Sequence, residues 1–211
     1  MIKKNSPLFY ITAIVTLIPI VIGLILWNKL PDQIPIHWNI YGKVDAFSSK
    51  AEAVFVLPVF LLAIHRLGTI ISIHDPKSEN IKGKPLFLVF WICPVISLVC
   101  NSIMYATALG NKVNVEIIMP LFIGALFIVI GNYLPKCKQN HTIGIKIPWT
   151  LNDEENWNKT HRLAGFLWVI SGIVIMATAF LGAFWFFFVM LVPMVVIPTV
   201  YSYLLYKKKQ K

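Results

Sequence analysis

The chain has 211 residues, a formal net charge of +10, 57% hydrophobic residues and only 13% charged ones. The apolar residues come in long blocks, which excludes a water-soluble globular domain and makes the basic charge a matter of topology and anionic lipid, not of nucleic-acid binding. Cys93, Cys100 and Cys137 show no CxxC or Cys/His spacing, so neither a disulfide framework nor a metal site is expected.

Lys3 and Lys4 precede an apolar run too long for a signal-peptide core, with no small-x-small cleavage site after it, so the run reads as an uncleaved signal-anchor helix. Blocks of spanning length follow at 8–27, 51–73, 85–108, 116–134, 163–181 and 183–205, each near the ~20 residues that cross the hydrocarbon. Backbone groups in lipid must be satisfied within the segment, and no alternating pattern suggests a barrel. The expected fold class is therefore all-α, an integral membrane bundle of six transmembrane helices. We expect an N-terminal two-helix unit, 1–80, with a loop at 28–50, and a four-helix region, 81–211, with a loop at 135–162. With the N-terminus inside, fifteen Lys and Arg fall on the inner segments and four on the outer ones. This asymmetry predicts cytoplasmic N- and C-termini, an external 28–50 loop and an internal 135–162 loop. His65-Arg66 falls near the inner boundary of the second span, where Arg66 is expected to snorkel. Asn101 is expected to make a helix–helix hydrogen bond, and a tight turn near Gly182 to join the last two spans.

The outer segment, 30–50, reads LPDQIPIHWNIYGKVDAFSSK. Turn formers and the aromatic residues Trp38, Tyr41 and Phe47 suggest an ordered connector that folds back onto the membrane face. The inner segment, 140–162, reads NHTIGIKIPWTLNDEENWNKTHR. Pro148 stiffens a turn, Thr150 or Asn152 caps a helix, and Asp153, Glu154 and Glu155 fall in its first turn, at the positive end of the dipole. Glu155 and Lys159 are spaced for an i,i+4 pair. A polar helix is thus expected to start near Asn152 and run unbroken into the fifth span. Trp149 and Trp157 read either as partner-binding anchors or as a membrane-interface belt, and the acids either as a partner's contact or as helix-start signals.

Both segments carry a resemblance. Leu30, Pro31, Ile34, Pro35, His37, Trp38, Asn39, Gly42, Asp45, Ser49 and Lys50 match LPxxIPxHWNxxGxxDxxxSK, which resembles an N-terminal domain of unknown function found in bacterial multipass proteins. A GNYxPK run at 131–136, then Asn140, the stretch 143–151 and the stretch 157–165 resemble the signature of the SdpI immunity-protein family. The match departs at Lys146-Ile147, where the family usually shows Arg-Thr, and at Ala164-Gly165, where it often shows Gly-Gly. Lysine lacks the guanidinium fork, so a bidentate contact there would be altered.

The resemblance implies a multipass protein of the bacterial plasma membrane, without a cofactor, that protects its own cell against a secreted, hydrophobic antimicrobial toxin peptide. It further implies a receptor that holds a winged-helix transcriptional repressor at the membrane when toxin is bound. On that reading His37, Trp38, Asn39, Gly42, Asp45 and Lys50 would meet the toxin. Gly144, Lys146, Pro148, Trp149, Thr150, Asp153, Glu155, Trp157, His161 and Arg162 would form the signalling surface. Membrane lipid is the remaining expected partner. Two rival functions come from the residues. A small efflux-type transporter would need paired broken helices and intramembrane charges, which the sequence lacks. A membrane enzyme could draw on His37 with Asp45, or on His161 with Asp153 and Glu154, but no nucleophile motif, phosphate loop or metal box accompanies them.

Overall fold

The computed structural model describes residues 2–183 and 185–210, with side chains from residue 7 onward. Among these residues the α-helices are α1 (Ile2–Ile25), α2 (Lys50–Ile73), α3 (Lys84–Ala108), α4 (Val115–Tyr133), α5 (Pro148–Leu151), α6 (Glu154–Ala179) and α7 (Phe186–Lys209). All but the single turn α5 are long and apolar enough to cross a membrane. Their outward surfaces carry exposed Ile, Val, Leu and Phe, the surface that hydrocarbon would cover. The expected six-span, all-α class holds.

One addition stands outside it. The 30–50 connector is a β-hairpin, β1 (Gln33–Trp38) paired antiparallel with β2 (Val44–Ser49). Pro35 hid the first strand, because a proline inside an apolar run argues against a strand. The register shifts between Pro35 and His37, so the proline sits beside an irregularity where a missing donor is tolerated.

By contacts the chain forms two compact units. The first comprises Met1–Ile73 and Phe87–Val115. Its core packs Leu30 and Ile34 of the hairpin arm against Ala53 and Val54 of α2 and Met104 and Tyr105 of α3. Buried Val, Leu or Ile side chains of this kind contribute about 1.5–3 kcal/mol each when water is the reference. A seam of buried polar groups ties α1 to α2 and α3. The Ser97 hydroxyl donates to the Thr16 carbonyl at 2.8 Å, the Tyr105 hydroxyl to the Pro19 carbonyl at 3.0 Å, and His65 Nε2 meets Thr12 Oγ1 at 2.9 Å. Asn101 does not make the interhelical bond expected of it. Its amide donates to the Ser97 carbonyl one turn back on its own helix, so Ser97 and Tyr105 carry the links between helices instead. Arg66 is exposed, with its guanidinium 5.1 Å over the Phe9 ring.

The second unit comprises His74–Leu86 and Glu116–Lys211. In it α4 and α6 cross on two glycine pairs. A Cβ on Gly131 would lie 2.8 Å from the Gly165 carbonyl, and one on Gly124 would lie 2.6 Å from the Gly172 carbonyl. Between α6 and α7 the bonds are polar at one end and aromatic further along. Asn156 Nδ2 donates to the Ser202 carbonyl at 2.9 Å and its Oδ1 accepts from the Ser202 hydroxyl at 2.7 Å, while Trp168 Nε1 donates to the Met194 carbonyl at 3.3 Å. The turn between these helices passes through Gly182 at φ +63°, as the sequence suggested.

Candidate functional site

The hairpin is held rigidly at its base. Lys50 donates its backbone N–H to the Asp32 carbonyl at 3.0 Å, its ammonium lies 3.3 Å from the Asp32 carboxylate, and the same ammonium sits 5.6 Å over the Trp27 ring. Ser49 and Glu52 exchange the reciprocal bonds of a capping box, which starts α2 immediately after β2. At the tip, Asn39 Oδ1 accepts from the N–H groups of Tyr41 at 2.9 Å and Lys43 at 3.2 Å, and Gly42 supplies φ +68°. Trp38 is half-buried against the hydrophobic cluster. Of the six outer residues singled out from the sequence, four therefore build the hairpin. His37 and Asp45 remain exposed, paired at 2.5 Å, and Ile36, Tyr41 and Phe47 of the same hairpin are exposed too.

The inner segment is a folded piece and not an open loop. Asn140 uses its whole amide: Oδ1 accepts from the N–H groups of Thr142 at 2.8 Å and Ile143 at 2.7 Å, and Nδ2 donates to the carbonyls of Lys138 and Ile143. Gly144 follows at φ +119°, and a Cβ there would stand 2.4 Å from His161 Nε2 and 3.0 Å from the Trp157 ring. Only glycine fits both that backbone and that space. Trp157 is fully buried, donates Nε1–H to the Cys137 carbonyl at 2.7 Å, and stacks on His161 at 4.0 Å. His161 Nε2 accepts the Ile145 N–H at 2.9 Å, so its proton is on Nδ1, which donates to the Trp157 carbonyl at 2.8 Å. Burial also pushes the Cys137 thiol up to about 11.

Thr150 acts one turn earlier than expected. Its hydroxyl accepts the Ile147 N–H at 3.2 Å and donates to the Ile145 carbonyl at 2.7 Å, closing α5 with Pro148 at its start. The cap of α6 is Asp153, not Thr150 or Asn152, and its carboxylate accepts from the N–H groups of Glu155 and Asn156. Asp153 has the extended backbone a cap needs, φ −142° and ψ 111°, whereas Asn152 is already helical at φ −98° and ψ −7°. From there α6 runs unbroken to Ala179, as expected of a polar helix feeding a span. Lys209, at the end of α7, reaches back to Asp153 and to Glu155 at 2.7 Å each, while Glu155 also holds Lys159 at 2.7 Å. The Lys209 hydrogen bond is the main reason the Asp153 carboxyl sits below the usual carboxylate range.

The ten inner residues thus separate by exposure. Gly144, Thr150, Trp157 and His161 are scaffold, three of them buried. Lys146, Pro148, Glu155 and Arg162 are exposed, and Asp153 is half-buried. Trp149 is half-buried against Tyr203 and Tyr206 of α7, with ring centroids 5.1 and 6.2 Å away. Glu154, Glu155, Asn158, Lys159 and Arg162 line an open groove on the first turns of α6. Sequence reasoning missed Asp75, Lys77 and Asn80, which follow α2 and bond to this segment. The Asp75-Pro76 turn signal just past a span was the cue. Among the described residues no group of three His, Cys, Asp or Glu side chains could hold a metal ion.

Six apolar helices of spanning length, broken by a rigid hairpin and by a folded polar segment, define a multi-pass helical membrane protein. Comparison with known proteins sharpens this. Residues 136–202 match the SdpI/YfhL protein family, and residues 14–62 match a domain of unknown function, DUF1648. Over 209 residues, 98% of this chain and 97% of the relative, the sequence is 31% identical to the immunity protein SdpI of Bacillus subtilis (strain 168). The chain belongs to the SdpI family. No solved structure matches it.

Proposed function

We propose that this protein is a membrane immunity protein, which protects the cell carrying it against a secreted hydrophobic toxin peptide. The observation that carries this reading is the similarity to an immunity protein along almost the whole of both chains. The positive-inside asymmetry supports a hairpin outside and a segment after α4 on the cytoplasmic side of a bacterial plasma membrane. The hairpin is the toxin-facing element. His37 and Asp45, with the apolar side chains of Ile36, Tyr41 and Phe47, offer an apolar peptide both buried area and a polar register point. The cytoplasmic segment is the signalling surface and recruits a winged-helix repressor when toxin is bound. There Trp149 and the acidic start of α6 meet the basic face of the partner, and charge complementarity sets the approach.

The test is expression in a toxin-sensitive bacterium, with survival under peptide challenge and repressor in the membrane fraction as separate readouts. His37→Ala is expected to lose protection, and Trp149→Ala to lose repressor recruitment alone. An intact chain that gives no protection would overturn the immunity reading. Energy-dependent loss of labelled peptide from cells would replace it by efflux.

A further inference from the structure

The segment His74–Leu86 runs from the end of α2 into the first residues of α3, yet it folds with the second unit. Its contacts fall on the signature segment. Asp75, 6% exposed, accepts on Oδ2 from the His141 N–H at 2.8 Å and the Thr142 hydroxyl at 2.6 Å, and on Oδ1 from the Lys77 N–H at 2.7 Å. The Lys77 ammonium then donates to Gln139 Oε1, and Asn80 Nδ2 donates to the Gln139 carbonyl at 2.8 Å. Gln139 passes the restraint on, since its Nε2 donates to the carbonyls of Thr150 at 2.7 Å and Leu151 at 3.0 Å. Three side chains of one short connector thus fix 139–142, and through Gln139 they fix α5, which carries Trp149.

We infer that Asp75 is a positioning residue for the cytoplasmic partner surface: it holds 139–142 so that α5 presents Trp149 in one place. A carboxylate suits this task, because donors converge on both of its oxygens and a buried anion so surrounded is stabilised. Burial raises the Asp75 carboxyl, but the bonds from Thr142, Lys77 and His141 outweigh it and hold it below the usual range. Asp75 lies two residues beyond the end of α2, and α2 begins directly after the hairpin, so one helix joins the two proposed sites along the chain. The inference rests on the reading of this segment as a partner surface.

The experiment uses the full chain with Asp75→Asn, Thr142→Val and Thr142→Ser. Asparagine keeps the shape, but turns an amide N–H toward donors or loses an acceptor. Valine keeps the shape of Thr142 without its hydroxyl, and serine restores the hydroxyl. In nanodiscs, hydrogen exchange over 138–147 is expected to speed up by about tenfold in the first two variants, with the hairpin unchanged and the serine variant like wild type. In cells the first two variants are expected to lose repressor recruitment by about fivefold or more while keeping protection. Unchanged exchange in both variants would overturn the inference. So would faster exchange with full recruitment. If wild type protects but recruits nothing, the partner reading fails, and exchange alone decides whether Asp75 holds the segment. Should Asp75→Asn not reach the membrane, Thr142→Val and its serine rescue give the same decision.

Discussion

Two glycines in spanning helices should respond to alanine with opposite signs. A Cβ on Gly165 would stand 2.6 Å from the Gly131 carbonyl oxygen and 2.7 Å from Pro135 Cδ. An ordinary carbon–oxygen contact is about 3.3 Å, so α4 and α6 must separate by roughly 0.7 Å. Backbone cannot rotate away as a side chain does, and overpacking of this kind costs about 1–3 kcal/mol. Alanine recovers up to ~1 kcal/mol through helix propensity, which leaves Gly165→Ala destabilised by up to about 2 kcal/mol. Gly68 on α2 has nothing within 4 Å of its Cβ position, so Gly68→Ala keeps only the favourable term. It should be neutral or stabilised by about 0.5–1 kcal/mol. The assay is reversible unfolding of the purified chain in mixed micelles by SDS titration, followed by tryptophan fluorescence. If Gly165→Ala matched or exceeded wild type, or if Gly68→Ala fell as far as Gly165→Ala, the glycine crossing would be wrong.

The folded inner segment gives three further expectations. Trp157→Phe leaves the buried Cys137 carbonyl without its donor, at about 1–3 kcal/mol, and should open Cys137 to maleimide in membranes in which Cys93 and Cys100 are replaced by alanine; a thiol as protected as in wild type would count against it. Asn156→Leu removes the paired bonds to Ser202, each worth about 0.6–1.7 kcal/mol in a membrane setting, and should lower the SDS midpoint, whereas an unshifted midpoint would deny those bonds any net value. The depressed Asp75 carboxyl contributes stability that is complete above the ordinary carboxylate pKa of about 3.9 and is lost as pH falls through the lower folded value. Hydrogen exchange over 138–147, corrected for intrinsic rate, should therefore stay flat from pH 8 to about 5 and rise only in stronger acid. An opening near pH 6–7 would assign the control to another group.

The six spans were legible because hydropathy in long blocks is a one-dimensional signal, and lipid leaves the backbone few alternatives. Turn chemistry was legible too: Asn39, Gly42, Pro148 and Gly182 sit where their backbone preferences put them. The hairpin was not, since Pro35 breaks the pattern a strand is read from and the register absorbs it at an irregularity. Nor was the choice of Asp153 over Asn152 as cap, because Ser, Thr, Asp and Asn compete within one turn and only geometry decides. Trp149 and Trp157 read alike in the sequence, yet one is half-buried against two tyrosines and the other is sealed under Gly144. That difference depends on Cys137, Ile145 and His161 meeting across twenty-odd residues, which no local pattern encodes.

The acidic start of α6 is already engaged by the chain's own tail. Lys209 bonds Asp153 and Glu155 at 2.7 Å, so a basic partner that approaches this face must displace an ammonium or share the carboxylates with it. Because Lys209 and Glu155 are exposed to water and Asp153 is only half-buried, these internal pairs are weak and exchangeable, and salt screens them. Lys209→Ala is therefore expected to leave the unfolding midpoint unchanged and to raise repressor recruitment by up to about fivefold at low salt, the upper range for an exposed ion pair. Asp153→Asn should lower recruitment instead, while its amide oxygen still caps α6. Equal recruitment by Lys209→Ala and wild type at every salt concentration would mean that the partner does not read these carboxylates. The contact would then have to be carried by Trp149 and the exposed Lys146 and Arg162, a surface of the opposite charge.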